Sequence, residues 1–178
     1  SHFPAFIQYY YLQGDDKRFV NFVMNNEIDT TKYNNTDLAM AYSRIGEVYV
    51  RNNMSGAAEK YFSAATQLMP FVIDYKIKQG AFLIKQNQLI ASKKVFASAL
   101  ALNPTIKEIH LNLGYISLLE HDLKKADLYL KQALALDPDY VLAYENLVLS
   151  AQMQNKMEQA KVYLNKILEI APNHKAKT

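Results

Sequence analysis

The residues of this 178-residue chain that could carry acid–base, nucleophilic or metal chemistry match no known catalytic pattern. The chain has 17 acidic residues and four histidines but no cysteine, which excludes a disulfide framework, Cys-ligated zinc or iron–sulfur, and a cysteine nucleophile. The histidines, His2, His110, His121 and His174, lack metal-ligand spacing. The sequence contains no glycine-rich phosphate loop and no Gly-x-Ser-x-Gly nucleophile elbow. We therefore predict a protein that is not an enzyme and has no cofactor and no metal site.

The charged and apolar residues are not arranged for binding nucleic acid or for crossing a membrane. The formal net charge is only +3. Residues 73–106 are basic, but elsewhere the two signs of charge are mixed rather than gathered into one stripe. No segment approaches the ~18 uninterrupted apolar residues of a membrane span. We expect a soluble protein that binds no nucleic acid and inserts in no membrane. A cytoplasmic location and export as part of a longer chain are equally compatible with these features.

The helix-breaking residues, in contrast, follow a strict period. The last four prolines, Pro70, Pro104, Pro138 and Pro172, are each 34 residues apart, and Gly46, Gly80 and Gly114 share that spacing. Two residue types on one period indicate an internal repeat. The predicted units are 39–72, 73–106, 107–140 and 141–174, with 175–178 as a tail or the start of a truncated capping helix.

Each unit has the residue pattern of two helices joined by a tight turn. Small residues recur at unit position 20, so that two helices can approach closely; they are Ala58, Ser92, Ala126 and Ala160. Unit position 15 holds Asn53, Asn87, His121 and Asn155. Asn and His tolerate positive φ better than most residues, so a left-handed turn is predicted there. The proline at position 32 cannot continue the second helix and ends it.

This pattern resembles the tetratricopeptide repeat (TPR) family, which has small residues at positions 8, 20 and 27 and proline at 32. The resemblance covers residues 39–174 and implies an all-α fold, a right-handed α–α superhelix (TPR solenoid) of antiparallel helix pairs. Residues 1–38 lack the periodic proline but carry apolar residues at helical spacing. We predict that they form a divergent N-terminal helical hairpin that caps the array. His110, at an inward position of the third unit, is predicted to be a packed core residue.

The resemblance also implies a binding site, because in TPR proteins the first helices of the pairs line a concave groove for partner proteins. Position by position, the basic first half of this groove is Arg44, Glu47, Arg51, Lys78 and Lys85. The apolar second half is Asn112, Tyr115, Leu119, Asn146, Leu149 and Met153. In the family, an asparagine at the position of Asn112 and Asn146 often hydrogen-bonds the backbone of an extended peptide.

The predicted function is a non-catalytic protein–protein interaction scaffold that binds a partner peptide or helix in this groove. Two alternative functions are also compatible with the sequence. The apolar surface of the last unit, which includes Leu164 and Leu168, favours a self-assembly module that forms homo-oligomers through an uncapped C-terminal repeat. The array is also compatible with an accessory TPR segment of a larger enzyme or secretion protein.

Overall fold

The computed structural model describes residues 3–26 and 29–172, and this part of the chain contains ten α-helices, one short 3-10 helix (Thr30–Lys32) and no strand. The helices are α1 Phe3–Gln13, α2 Asp16–Asn25, α3 Asn35–Arg51, α4 Ser55–Leu68, α5 Ile73–Lys85, α6 Leu89–Leu102, α7 Lys107–Leu119, α8 Leu123–Leu136, α9 Val141–Met153 and α10 Met157–Ile170. The predicted all-α fold class is thus confirmed. Residues 175–178, His2 and His174 lie outside the described residues.

The boundaries of the helices follow from the breakers and caps in the sequence. The second helices α4, α6, α8 and α10 each end two residues before a periodic proline, because the residue that precedes proline is disfavoured in a helix. The helices α5, α7 and α9 begin at residues 73, 107 and 141, the first residues of the predicted units. The helix α3 begins earlier, at Asn35, because the side chain of Asn34 accepts a 2.8 Å hydrogen bond from the backbone N–H of Asp37.

The turn inside every helix pair is left-handed, as the sequence predicted. The φ angles there lie between 57° and 59° at Asn53, Asn87, His121 and Asn155. Gly14 has a φ of 68° between α1 and α2. The N-terminal hairpin therefore turns in the same way as the four units that follow it.

The chain forms two compact units, and the boundary between them lies within α6. The first unit ends at Val95 and the second begins at Phe96. In the first unit, α1 and α2 pack against each other and against α3, and α3 packs against α4. The buried side chains of Ile7 and Phe19 join Ile45 and Phe62 in one hydrophobic cluster. The N-terminal hairpin is thereby held to α3 by apolar burial.

In the second unit, α7 packs against α8, α8 against α9, and α9 against α10. Gly114 allows the close approach of α7 and α8, because a Cβ atom there would lie 2.8 Å from Leu130, which is fully buried. His110 is a packed core residue, as predicted: it is buried, and its Nε2 lies 2.8 Å from the carbonyl oxygen of Pro104. Over the ranges that the structure describes, no helix has both the length and the apolar character that crossing a membrane requires.

Candidate partner-binding surfaces

All eleven residues predicted to line a groove lie on the first helices of the pairs, α3, α5, α7 and α9. On each helix they recur at intervals of three, four or seven residues, which places them on one face. The face of α3 and α5 belongs to the first compact unit, and the face of α7 and α9 to the second.

The first unit has a cavity of about 430 Å³ between α3 and α5, which we call the unit 1 cavity. Its floor is apolar, with the rings of Phe62 and Phe82 tilted against each other at a centroid distance of 5.4 Å. Four of the five residues predicted for the basic half line it; these are Glu47, Arg51, Lys78 and Lys85. Arg44 does not line the cavity.

Most of the charges at this cavity are already paired within the protein. Arg51 forms a bidentate pair with Asp16 of α2, through Nε at 3.0 Å and Nη2 at 2.8 Å. Lys78 Nζ lies 2.8 Å from Glu47 and 3.0 Å from Asp74. Among the described residues Lys85 forms no ion pair, and it is exposed. The basic character predicted for this half is therefore largely neutralised internally, and Lys85 is the exposed cation that an acidic partner could pair with.

The N-terminal hairpin supplies two residues to this surface that the sequence did not indicate. One is Asp16, and the other is Tyr11, whose hydroxyl donates a hydrogen bond to Glu47. This hydrogen bond to a carboxylate raises the pKa of Tyr11, while the Arg51 guanidinium lowers the pKa of Asp16. The guanidinium carbons of Arg44 and Arg51 lie 5.5 and 5.6 Å from the centre of the Tyr11 ring, within the range of cation–π attraction.

The sequence did not indicate this contribution, because residues 1–38 lack the periodic proline and have Phe19 where the repeat has a small residue. Tyr11 and Glu47 are 36 residues apart, and Asp16 and Arg51 are 35 apart. These separations are close to the 34-residue period. Treating the hairpin as a further repeat unit is therefore the signal that would have revealed these pairs.

The second unit has a cavity of about 480 Å³, which we call the unit 2 cavity. The helices α7, α9 and α10 supply its lining, which consists of Tyr115, Glu145, Asn146, Val148, Leu149, Gln152, Leu164 and Ile167. Three predicted groove residues, Tyr115, Asn146 and Leu149, are thus brought together. The other three predicted residues of this half, Asn112, Leu119 and Met153, lie outside the cavity lining.

The two predicted asparagines hold the same conformation on successive first helices. Asn112 Nδ2 donates to the carbonyl oxygen of Glu108 at 2.7 Å, and Asn146 Nδ2 donates to that of Leu142 at 2.8 Å. Each amide has two hydrogens and an oxygen acceptor. Within the described residues, one hydrogen and the oxygen of each amide form no further hydrogen bond. The two amides can therefore both donate to and accept from the backbone of an added chain.

No group of three or more His, Asp or Glu side chains suited to a metal ion occurs in the parts of the chain that the structure describes. The arrangement of apolar side chains and amides suits noncovalent recognition of a polypeptide.

The last two of the four predicted 34-residue repeats are similar in sequence to a known repeat family. Residues 107–140 and 142–174 match the family model described as tetratricopeptide repeat. No curated protein matches the chain in sequence.

Several solved structures share the fold of the chain. PilW, described as a widely conserved type IV pilus biogenesis factor, has a TM-score of 0.80 at 22% identity, with 96% of this chain and 77% of that chain covered. The 41-end form of MamA from Desulfovibrio magneticus RS-1 has a TM-score of 0.77 at 16% identity, covering 97% and 94%. YrrB, described as a TPR protein with an unusual peptide-binding site, has a TM-score of 0.72 at 23% identity, covering 97% and 86%. At such low identity the likeness shows a common fold.

Proposed function

We propose that the chain, whose residues 107–140 and 142–174 match the tetratricopeptide-repeat model, is a non-catalytic scaffold whose α7–α9 face binds a peptide segment or helix of a partner protein. The observation that carries this proposal is the unit 2 cavity, in which two exposed apolar side chains, Tyr115 and Leu149, flank the amide of Asn146. An exposed apolar surface with a few polar groups is typical of interaction sites.

The chemistry of the unit 2 cavity suits a peptide that inserts an apolar side chain. Tyr115 and Leu149 would contact that side chain, and burial of an aliphatic side chain contributes about 1.5–3 kcal/mol. Asn146 would hydrogen-bond the adjacent peptide group. Asn112, one 34-residue repeat earlier, would hydrogen-bond a peptide group further along the partner. Such contacts read the backbone, so they restrict the partner's sequence only at the apolar residue. The peptide-binding site described for YrrB supports the same use of this fold.

The unit 1 cavity favours a related ligand, an apolar side chain next to a carboxylate. Phe62 and Phe82 provide an apolar floor, and Lys85 provides an exposed cation at its edge. The contribution of charge is small, because one exposed ion pair is worth about 0.2–1 kcal/mol. Apolar contact should therefore dominate affinity here as well.

An array of immobilised random-sequence peptides tests the proposal without a known partner. We expect the wild-type protein to select peptides with a large apolar residue at one position. The double variant Tyr115→Ala/Asn146→Ala should weaken binding to the selected peptides at least about tenfold, because one anchor and one backbone contact are lost together.

The matched control is Leu128→Ala on α8, since Leu128 is exposed and lies away from the cavity lining. This variant should bind the selected peptides as the wild type does. Equal binding by the double variant and the control would refute the assignment of the α7–α9 face. Failure of the wild type to select any peptide would refute peptide binding altogether.

A second candidate function is self-association, which the apolar surface of α10 favours. Met157, Val162 and Leu168 are exposed there, and Leu164 borders the unit 2 cavity. Light scattering over a dilution series tests this function. Association that disappears in the variant Leu164→Asp/Leu168→Asp would support it, and a wild type that stays monomeric at every concentration would rule it out.

A further inference from the structure

One position of the first helices is buried in four helix pairs and exposed in the N-terminal hairpin. It lies five residues before the left-handed turn residue. In α3, α5, α7 and α9 the residues at this position, Val48, Phe82, Ile116 and Ser150, are at most 3% exposed. In α1 the corresponding residue is Tyr9, five residues before Gly14, and its exposed fraction is 57%.

Two of the buried members of this set, Phe82 and Ser150, contact the preceding helix pair. Phe82 packs its ring against Phe62 of α4. Ser150 donates a 2.6 Å hydrogen bond to Asp127 of α8. The position is therefore the one through which a first helix docks on the pair before it. Tyr9, at the same position of α1, is exposed instead.

The opposite end of the repeat pattern carries the complementary surface. Leu164 of α10 occupies the unit position that Phe62 occupies in α4, three periods earlier. Phe62 is 4% exposed beneath Phe82, whereas Leu164 is only partly buried and borders the unit 2 cavity with Val148 and Ile167. The end of the cavity near Leu164 is thus the place where the docking residue of a further first helix would lie.

We propose that the chain associates head to tail, with the α1 face of one copy (Phe6, Tyr9 and Leu12) docked into the unit 2 cavity of a second copy at Leu164. The inference rests on the self-association proposed above and names the two surfaces that meet. In it, Tyr9 of one copy takes the place relative to Leu164 of the other that Phe82 takes relative to Phe62.

The composition of α1 supports this occupant. The helix contains no charged residue, and its outward side chains Phe6, Tyr9 and Leu12 are all exposed. Exposed apolar side chains that share one face are typical of an interaction site. Docking would bury the outward face of α1 without removing any charge of that helix from water.

The charges of the two ends are also complementary. Residues 1–38 contain five acidic and three basic residues, whereas residues 141–178 contain three acidic and five basic residues. Opposite net charges favour the encounter of unlike ends over that of like ends. The two surfaces differ, so the contact is heterologous and propagates from copy to copy. Species larger than a dimer should therefore form as concentration rises.

Two single variants and their mixture test this geometry by sedimentation velocity and light scattering. Tyr9→Asp removes the docking residue, and Leu164→Asp places a charge in the cavity. Each variant alone should be monomeric, with association weakened about 30-fold or more. An equimolar mixture should form a dimer that does not grow, of about twice 20.4 kDa, because one intact α1 face and one intact cavity remain.

The control is Leu128→Asp on α8, whose exposed fraction of 55% matches that of Tyr9; it should associate like the wild type. Circular dichroism melting checks that each variant is folded. Leu164 is partly buried, so Leu149→Asp, at a more exposed residue of the same cavity, serves if Leu164→Asp unfolds.

Three results would overturn the head-to-tail contact. A mixture that stays monomeric, or Tyr9→Asp that associates like the wild type, would reject this geometry while leaving self-association intact. A wild type that is monomeric at every concentration would reject both. Peptide binding is measured separately on the array, so none of these three results decides it.

Discussion

The crossing of α3 and α4 provides a quantitative test of why glycine is required at Gly46. A Cβ atom at this position would lie 2.9 Å from Cε1 and 3.0 Å from Cδ1 and Cζ of Phe62. The ring cannot move away freely, because Phe62 is buried and packs against Phe82. Gly46→Ala should therefore separate the two helices or displace the ring, and so alter the floor of the unit 1 cavity.

Two opposing effects set the size of the change. Alanine stabilises a helix interior by about 1 kcal/mol relative to glycine. Overpacking a core costs about 1–3 kcal/mol, so the net loss for Gly46→Ala should lie between zero and about 2 kcal/mol. Gly56 of α4 is exposed and has no atom within 4 Å of an added Cβ. Gly56→Ala, in the same compact unit, should therefore be neutral or stabilising by up to about 1 kcal/mol.

Urea unfolding followed by circular dichroism measures both variants, with amide hydrogen exchange in α3 and α4 as a second readout because two compact units need not unfold together. In a Phe62→Leu background the cost of Gly46→Ala should fall, since the smaller side chain relieves the contact. A Gly46→Ala protein as stable as Gly56→Ala would refute the steric explanation of this glycine.

Three further predictions concern single interactions. Because Arg51 lowers the pKa of folded Asp16, this pair should stabilise the protein at neutral pH and lose its effect as pH falls below about 4; the stability difference between wild type and Asp16→Asn should shrink over that range, and a constant difference would contradict the pairing. Asn155→Ala should destabilise by about 1 kcal/mol more than Asn155→Gly in thermal unfolding, because φ is 57° there; equal stability of the two variants would show that the turn relaxes. Ser92→Ala should cost about 1 kcal/mol by urea unfolding, because the Ser92 hydroxyl donates a buried 2.8 Å hydrogen bond to the carbonyl oxygen of Gly80; no loss would mean that this hydrogen bond adds nothing to stability.

The fold was predictable because its signals are local and repeated. A proline ends a helix whatever surrounds it, and Asn or His at a turn adopts positive φ at low cost. The ends of α4, α6, α8 and α10 and the four left-handed turns follow directly from these residue types. The helix α3 begins four residues before the predicted unit 39–72, because the cap at Asn34 lies outside the repeat frame.

The candidate surfaces were predictable only as faces of helices. Helical spacing placed Tyr115, Asn146 and Leu149 on the same side as the other groove residues, but it could not show that Leu119 lies outside the cavity lining. Whether a residue borders a cavity depends on neighbouring helices. The contribution of α10 through Leu164 was likewise invisible in the pattern of the first helices.

The charged residues also show how the sequence and the tertiary structure determine different properties. The sequence indicated a basic surface from Arg51, Lys78 and Lys85, and these residues do line one cavity. Their effective charge depends on partners that other segments bring close, above all Asp16 of the N-terminal hairpin. Coulomb interactions fall with distance and rise with burial, so only the packed structure decides which cation is free to attract a ligand.

By itself, then, the sequence determined the number, length and turn geometry of the helix pairs, because backbone constraints act within a few residues of their cause. The tertiary structure alone decided which side chains of those helices are neutralised, buried or exposed. The contrast between Phe82 and Tyr9 shows the reason most directly: both occupy the same position in a helix pair, yet the ring of Phe82 is buried against Phe62 of the preceding pair whereas Tyr9 is exposed.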